Sequence, residues 1–320
     1  MNHTKKIVSA VGTLLMIISF VFIIERIMQY DIDFSILTSP WVTIGLLLLS
    51  IIVGLGYLLV GIAFQWLLES LSGLTLERIE RRIVVKFYCI ANLYKYIPGG
   101  ILYVVGRNRL AFETDKLTHT KIALGTLIEG IVFAITGFVI AIVFAYNHFI
   151  YYIRQMSISP FVWIIVGGFL FICVLLTFIF RQAIRQTLSK YIDTGLPLTV
   201  MPKFLGAHIL MLFTQAVTFP LTLMLLGQSI TLNLAFTIIG LYALSWVAGY
   251  LTPGAPNGLG IREAVMLMFL GGILDEGMLL SSIVIHRAVS VVGDVFIYGV
   301  GLAYVKPLTY TYNKRMELSE

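Results

Sequence analysis

Isolated charged residues inside long apolar runs are the first feature of this sequence that could do chemistry. Glu129 is the only charged residue between positions 122 and 146, and Arg287 and Asp294 both lie in the apolar run 278–305. A charge at the centre of a membrane-spanning helix costs at least about 2.5 kcal/mol on insertion scales. Each of these side chains is therefore predicted to face a partner or a water-filled cavity.

The spacing of two of these charges limits how they can pair. Arg287 and Asp294 are seven residues apart, which places them on one face of a helix but too far apart to bond directly. Each is expected to have its partner elsewhere in the chain, and Glu129 or Glu263 is the candidate partner for Arg287. Structural ion pairs that fix helix packing are the alternative to a functional role.

Two apolar segments, 83–106 and 252–274, are interrupted by proline and glycine. Irregular backbone at membrane depth leaves N–H and C=O groups unpaired unless protein or a water-filled cavity surrounds it. One such break in each half of a chain is typical of substrate sites between broken helices, although proline–glycine pairs also mark ordinary loops. The candidate substrate-binding residues are Lys95, Pro98, Gly99, Gly100 and Arg107 at the first break and Pro253, Gly258, Gly260, Arg262 and Glu263 at the second.

The chemistry expected at these breaks is anion binding. Half-helices that begin near Gly100 and Gly260 would direct the positive ends of their dipoles at the breaks, an arrangement that suits a lipid phosphate. Glu129 and Glu263 would pair with the basic residues in the empty site, or bind a cationic headgroup. Asp294 completes the candidate substrate-binding set. The cations expected to neutralise a phosphate are Lys95, Arg107, Arg262 and Arg287.

Composition indicates which elements position these residues. The chain has 320 residues, of which 59% are hydrophobic and 12% charged, whereas soluble domains carry roughly 25% charged residues. This excludes an ordinary soluble enzyme and a disordered scaffold. We predict one all-α membrane domain over residues 1–320, with about seven or eight spans and two broken or re-entrant segments. The uninterrupted apolar runs are 7–24, 41–64, 122–146, 161–180, 204–226, 232–251 and 278–305.

The distribution of basic residues predicts the orientation. The formal net charge is +6, and most basic residues lie in alternate loops. The loops on the opposite side of the membrane contain only Arg26 and Arg154. The positive-inside rule then places the N-terminus in the cytoplasm, and the membrane that we expect is the inner (plasma) membrane. Because orientation explains the charge, nucleic acid is not expected as a partner. A cytoplasmic C-terminus further requires residues 252–274 to cross the membrane rather than turn back.

Known catalytic signatures are absent from the sequence. It contains no HExxH, GxSxG or Walker motif, and Cys89 and Cys173 lack metal-ligand spacing. We therefore expect no catalytic residue, metal or cofactor. An intramembrane transferase stays open as an alternative, with Glu129, Asp294 or Glu263 as the general base.

The first interrupted segment resembles a known family signature. Lys95-Tyr96-Ile97-Pro98-Gly99-Gly100, followed by Arg107, is similar to the first signature of the lysylphosphatidylglycerol synthase transmembrane family, also called flippase-like membrane proteins. The isolated Glu129 and the late Arg287 also fit the pattern of that family.

The second interrupted segment resembles the second signature of this family, a Pro-Gly-Gly-x-Gly run that ends in Glu. Here Pro253-Gly254 precedes Gly258-Leu259-Gly260-Ile261-Arg262-Glu263-Ala264, but Ala255-Pro256-Asn257 intervenes. An alignment on residues 256–258 puts asparagine where glycine is usual.

The resemblance implies a stand-alone lipid-moving membrane domain that lacks the aminoacyl-transferase domain of the best-known members. The function we expect is a flippase or scramblase for a phospholipid, a glycolipid or a polyprenyl-phosphate-linked lipid. Membrane lipids with anionic headgroups are then the partners. The alternatives are a lipid-modifying transferase or accessory subunit of envelope synthesis, and a scaffold that recruits envelope-synthesis enzymes.

Overall fold

The computed structural model describes residues 35–73, 79–96, 101–114, 116–155, 199–252 and 255–303. The regular structure of these residues is entirely helical, which confirms the predicted fold class for this part of the chain. Short 3-10 helices cover Ser35–Thr38, Leu93–Tyr96 and Pro256–Gly258. The α-helices are α1 (Pro40–Leu71), α2 (Arg81–Asn92), α3 (Ile101–Asn108), α4 (Leu110–Glu113), α5 (His119–Gln155), α6 (Met201–Leu225), α7 (Leu232–Leu251), α8 (Ile261–Leu270) and α9 (Glu276–Ala303).

Helices α1, α5, α6, α7 and α9 are long and apolar enough to cross a membrane, and they identify the chain as a membrane protein. They coincide with the predicted spans 41–64, 122–146, 204–226, 232–251 and 278–305. Large apolar side chains remain exposed along α1 and α5, as expected of helix faces that contact lipid. The predicted spans 7–24 and 161–180 lie outside the described residues, and the total span number stays a prediction.

The packing of the first half of the described chain is repeated by the second. Helices α1, α2, α3 and α5 correspond in order to α6, α7, α8 and α9. The contacts α1–α2, α2–α3 and α3–α5 recur as α6–α7, α7–α8 and α8–α9. Contacts between the halves are reciprocal as well, since α2–α9 and α1–α9 recur as α7–α5 and α6–α5, around a central α1–α6 contact.

The two halves form an inverted repeat. A Cβ atom placed on Gly45 would meet the Leu225 side chain 2.8 Å away, and one on Gly56 would lie 3.2 Å from Met211. The start of α1 therefore packs against the end of α6, so these equivalent helices run antiparallel.

Glycines allow the helices that carry the charged residues to approach closely. A Cβ atom on Gly54 of α1 would lie 2.9 Å from the Gly293 carbonyl oxygen of α9. In the other half, a Cβ atom on Gly240 of α7 would lie 2.6 Å from the Ala145 backbone nitrogen of α5. Small residues at such crossings are typical of helix packing in membranes. The first crossing also fixes the depth of Asp294, the residue after Gly293.

The two predicted interruptions separate α2 from α3 and α7 from α8. In the second, Asn257, Gly258 and Gly260 have φ values of 47°, 66° and 84°, so the backbone is left-handed where the helical path breaks. The 3-10 helices Leu93–Tyr96 and Pro256–Gly258 contact each other, so the two breaks meet. Whether these segments cross or re-enter the membrane stays a prediction. Pro98, Gly99, Gly100 and Pro253 lie outside the described residues.

Candidate functional site

A cavity of about 510 Å³ lies where the two interrupted segments meet. Its walls are provided by α1, α2, α3, α5, α6, α7 and α8, the 3-10 helix Leu93–Tyr96 and the turn before α8. Its volume is within the range of small-molecule sites. The sequence-predicted residues that line it are Lys95, Glu129, Gly258 and Arg262, and its aromatic lining consists of Tyr57, Tyr88, Tyr103, Phe133, Trp246 and Tyr250.

Asp294 of α9 is buried and is bound by residues at the end of α2 and in the 3-10 helix Leu93–Tyr96. Lys95 Nζ lies 2.9 Å from both carboxylate oxygens. Asn92 Nδ2 donates to Oδ1 at 2.7 Å, and the Tyr96 hydroxyl donates to Oδ2 at 2.5 Å. Lys95 also lies over the Tyr57 ring, 4.1 Å from its centroid. The expectation that Asp294 has its partner outside its own helix is confirmed, and that partner is Lys95.

Arg107 of α3 forms a buried salt bridge with Glu129 of α5. The Tyr88 hydroxyl donates to Glu129 Oε1 at 2.6 Å, and the Tyr103 hydroxyl accepts from Arg107. The guanidinium also lies against the faces of both tyrosine rings, 4.2 and 4.1 Å from their centroids. Arg107 does not line the large cavity, whereas Glu129 does. The two charges therefore neutralise each other at the cavity wall, with Glu129 on the side of the cavity.

Arg287 of α9 pairs with Glu263 of α8 at 3.2 Å, so Glu263 is its partner among the two expected candidates. The other carboxylate oxygen of Glu263 accepts from the Gly260 backbone N–H at 2.8 Å. The N-terminus of α8 is thus capped from within its own helix, and its positive end is occupied by a carboxylate rather than free for an external anion. Arg287 also donates to the Asn257 carbonyl oxygen at 3.4 Å.

Arg262 is the cation of the site that differs from the others. It is 5% exposed, its Nη2 donates to the Tyr242 hydroxyl at 3.0 Å, and its guanidinium carbon lies 3.5 Å from the centroid of the Trp246 ring. Nε and Nη1 have no hydrogen-bond partner. Within the described part of the chain, Arg262 has no carboxylate partner.

The charges of the site do not cancel. Each of the three carboxylates Glu129, Glu263 and Asp294 pairs with a different cation. The positive charge of Arg262 is therefore left without a partner among the described carboxylates. Among the described residues of the site, four positive and three negative groups therefore give a net charge of +1. The four cations are Lys95, Arg107, Arg262 and Arg287.

A second, much smaller pocket of about 20 Å³ lies between α6, α7, α8 and α9. Arg262 lies on the wall of both pockets, and Glu263, His286 and Arg287 line only the small one. Its volume is that of a single water molecule. His286 is hydrogen-bonded inside the bundle, to Thr218 at 2.9 Å and to Tyr242 at 3.3 Å.

The structure also brings in residues that the sequence analysis missed. Asn257 carried a signal, because it stands where the family pattern has glycine. Trp246 carried none, since it lies in an uncharged apolar helix. The missed residues that contact the charged groups are Tyr57, Tyr88, Asn92, Tyr96, Tyr103, Tyr242, Trp246 and Asn257.

No known family model matches this chain, and a search of curated proteins gives no match.

Proposed function

We propose that this protein moves a lipid with an anionic headgroup between membrane leaflets, as a flippase or scramblase. The observation that carries the proposal is a cavity of about 510 Å³ among helices of membrane-spanning length, with the unpaired Arg262 in its wall. An uncompensated charge inside a helix bundle is costly, which makes it a marker of function in membranes. An anionic headgroup in the cavity would supply the missing negative charge.

The arrangement of the helices supports a transporter. Inverted repeats whose interrupted segments meet at the substrate site are characteristic of secondary transporters. In this proposal the segments 83–106 and 252–274 enter the membrane, the headgroup occupies the cavity between them, and the acyl or prenyl tails stay in lipid. The protein lies in the inner membrane with its N-terminus in the cytoplasm, and the resemblance of both segments to a flippase-like family points to the same activity.

The state of the carboxylates favours transport over a lipid-modifying transferase. A general base needs an oxygen that is free to take a proton. Glu129, Glu263 and Asp294 each accept hydrogen bonds from a cation and from a second donor. A scaffold that acts through its cytoplasmic loops needs neither a cavity nor buried charge, so the cavity also favours transport over recruitment.

Leaflet exchange in proteoliposomes tests the proposal. Fluorescent phospholipids, a glycolipid and a short-chain polyprenyl-phosphate lipid are incorporated, and the accessible fraction is measured by quenching, with and without an imposed ion gradient. We expect the wild-type protein to accelerate exchange of an anionic lipid. Arg262→Gln should slow it at least about tenfold, the factor given by about 1.4 kcal/mol of lost interaction. Arg109→Gln is the matched control, because Arg109 is exposed.

Two results would overturn the proposal. Folded protein that accelerates exchange of none of these lipids, with or without the gradient, is not a lipid transporter. Turnover of a lipid-linked donor by the purified protein would instead establish the transferase.

A further inference from the structure

The large cavity is not enclosed, and its exposed lining residues mark where it opens. Among the described residues that line it, Ala123 and Leu127 of α5 and Tyr250 of α7 are exposed, and the others are buried or partly buried. The exposed fraction is 61% for Leu127 and 51% for Tyr250. These three residues are called the mouth of the cavity below.

The mouth lies at the edge of the lipid-facing side of α5. Leu127, Ile131 and Ile135 follow one another at intervals of four residues, so they share one face of the helix, and all three are exposed. Ile131 and Ile135 do not line the cavity. Because α5 is long and apolar enough to cross a membrane, Leu127 belongs both to a face that contacts lipid and to the wall of the cavity.

Tyr250 borders the same opening from the neighbouring helix. Its ring centroid lies 5.0 Å from that of Phe133 on α5, and a Cβ atom on Gly130 would collide with its hydroxyl group. Gly130 follows Leu127 by three residues and therefore lies on the same side of α5. The glycine thus allows the end of α7 to lie against α5 beside Leu127.

The polarity of the lining increases from the mouth to the interior. The mouth consists of two apolar side chains and one tyrosine, whereas the rest of the lining includes the buried Glu129 and Arg262 and the partly buried Lys95. A membrane lipid has the same division, because its headgroup is polar and its chains are apolar. A solute without chains has no need of an opening onto lipid.

We propose that the mouth accommodates a hydrocarbon chain of the transported lipid while the headgroup occupies the cavity. The lipid then enters sideways from the membrane, past Ala123, Leu127 and Tyr250. This inference rests on the proposed function and assigns the route by which its substrate reaches the site. The chain passes from one apolar environment to another, so no hydrophobic gain drives its entry. The mouth therefore controls access, and narrowing it should slow transport, whereas widening it should not.

Tryptophan substitution at the mouth tests this route in the leaflet-exchange assay. Leu127→Trp should slow exchange at least about tenfold, which corresponds to an added barrier of about 1.4 kcal/mol. Ile131→Trp is the matched control, because it places the same ring one turn further along α5 and outside the cavity, and it should leave exchange unchanged. Leu127→Ala should leave exchange unchanged or make it faster. The melting temperature should be the same in all three variants, because both positions are exposed.

Photochemical labelling tests the occupant of the mouth without relying on transport. A phosphatidylglycerol analogue with a diazirine in one acyl chain is added to the purified full-length chain in detergent, and labelled residues are identified by mass spectrometry. Labelling at Ala123, Leu127 and Tyr250 should saturate and should be displaced by excess unlabelled phosphatidylglycerol. Labelling at Ile131 and Ile135 should rise with the analogue concentration without saturation, because these residues contact bulk lipid or detergent.

The route is wrong if Leu127→Trp and Ile131→Trp slow exchange equally, or if unlabelled lipid does not displace the label from the mouth. Slower exchange by Leu127→Trp together with a lower melting temperature would give Leu127 a structural role instead. The proposed function is judged separately. Exchange that is insensitive to Leu127→Trp removes the mouth and leaves transport established, whereas saturable labelling without exchange by the wild type removes transport and leaves a lipid site at the mouth.

Discussion

The two halves of the inverted repeat share their packing, and each has one ion pair at the same position. The charges of this pair are exchanged between the halves, and the pair is more exposed in the second half. In the first half, Arg107 on the short helix α3 pairs with Glu129 on α5, and in the second, Glu263 on α8 pairs with Arg287 on α9. The partners are 22 residues apart in one half and 24 in the other, with the charges exchanged. The Arg107 side chain is 0% exposed, whereas that of Arg287 is 16% exposed.

This difference assigns different roles to the two pairs. The hydroxyls of Tyr88 and Tyr103 complete the hydrogen bonds of the first pair inside the bundle, so that pair fixes α3 against α5. The second pair has further contacts in the turn before α8, where Glu263 and Arg287 hold the backbone around Asn257. The same position in the repeat therefore stabilises the fold in one half and shapes the candidate site in the other.

The largest predicted effect is the loss of the first pair. Arg107→Gln leaves the Glu129 carboxylate buried without its cation, which should lower the free energy of unfolding by about 3–5 kcal/mol. Arg287→Gln should lower it by only about 1–2 kcal/mol, because its pair is partly exposed and Glu263 keeps its bond to the Gly260 N–H. Denaturant titration of both variants in mixed micelles measures the two losses.

For lipid exchange the order should be the opposite, with the larger effect in Arg287→Gln. Arg287→Gln should slow lipid exchange about tenfold in protein that remains folded, because the Asn257 turn loses its hydrogen bonds. Equal losses of stability in the two variants, together with normal exchange by Arg287→Gln, would show that the two pairs have the same role.

A smaller effect tests whether the contacts between the halves are equivalent. Gly240→Ala at the α5–α7 crossing would place its Cβ 2.6 Å from the Ala145 backbone nitrogen, and Gly301→Ala at the α2–α9 crossing would place it 2.9 Å from Cys89 Cβ. Each should lower the free energy of unfolding by about 1–3 kcal/mol. In Gly206→Ala no atom lies within 4 Å of the new Cβ, so this control on α6 should be neutral or slightly stabilising. Losses that differ by more than about 2 kcal/mol between the two crossings would contradict the equivalence.

Part of this architecture could be predicted because local sequence determines it. Uninterrupted apolar runs predicted the five helices of membrane-spanning length among the described residues, since a run of about 20 apolar residues has few alternatives to a spanning helix. Glycine and proline likewise predicted the break before α8, where Gly258 and Gly260 adopt positive φ. Glu263 was one of the two expected partners for Arg287, and it is the partner that the structure shows.

Contacts between distant segments were beyond the sequence analysis. Lys95 and Asp294 are 199 residues apart, and the packing of α9 against α1 and α2 brings them together. The inverted repeat was missed for a similar reason, because packing between membrane helices needs small and apolar character at the contacts rather than particular residues. An indole N–H such as that of Trp246 has no sequence signal at all.

The smallest predicted effect tests whether an unpaired buried donor marks the site or is a packing imperfection. Thr136 on α5 is 2% exposed, its hydroxyl has no hydrogen-bond partner, and it lines neither pocket. Thr136→Val should raise the free energy of unfolding by about 1 kcal/mol or less, because it removes a desolvated hydroxyl at nearly constant shape. Lipid exchange should be unchanged, in contrast to Arg262→Gln. A loss of exchange in Thr136→Val would mean that unpaired polar atoms away from the cavity also affect transport, and they would then no longer locate the headgroup.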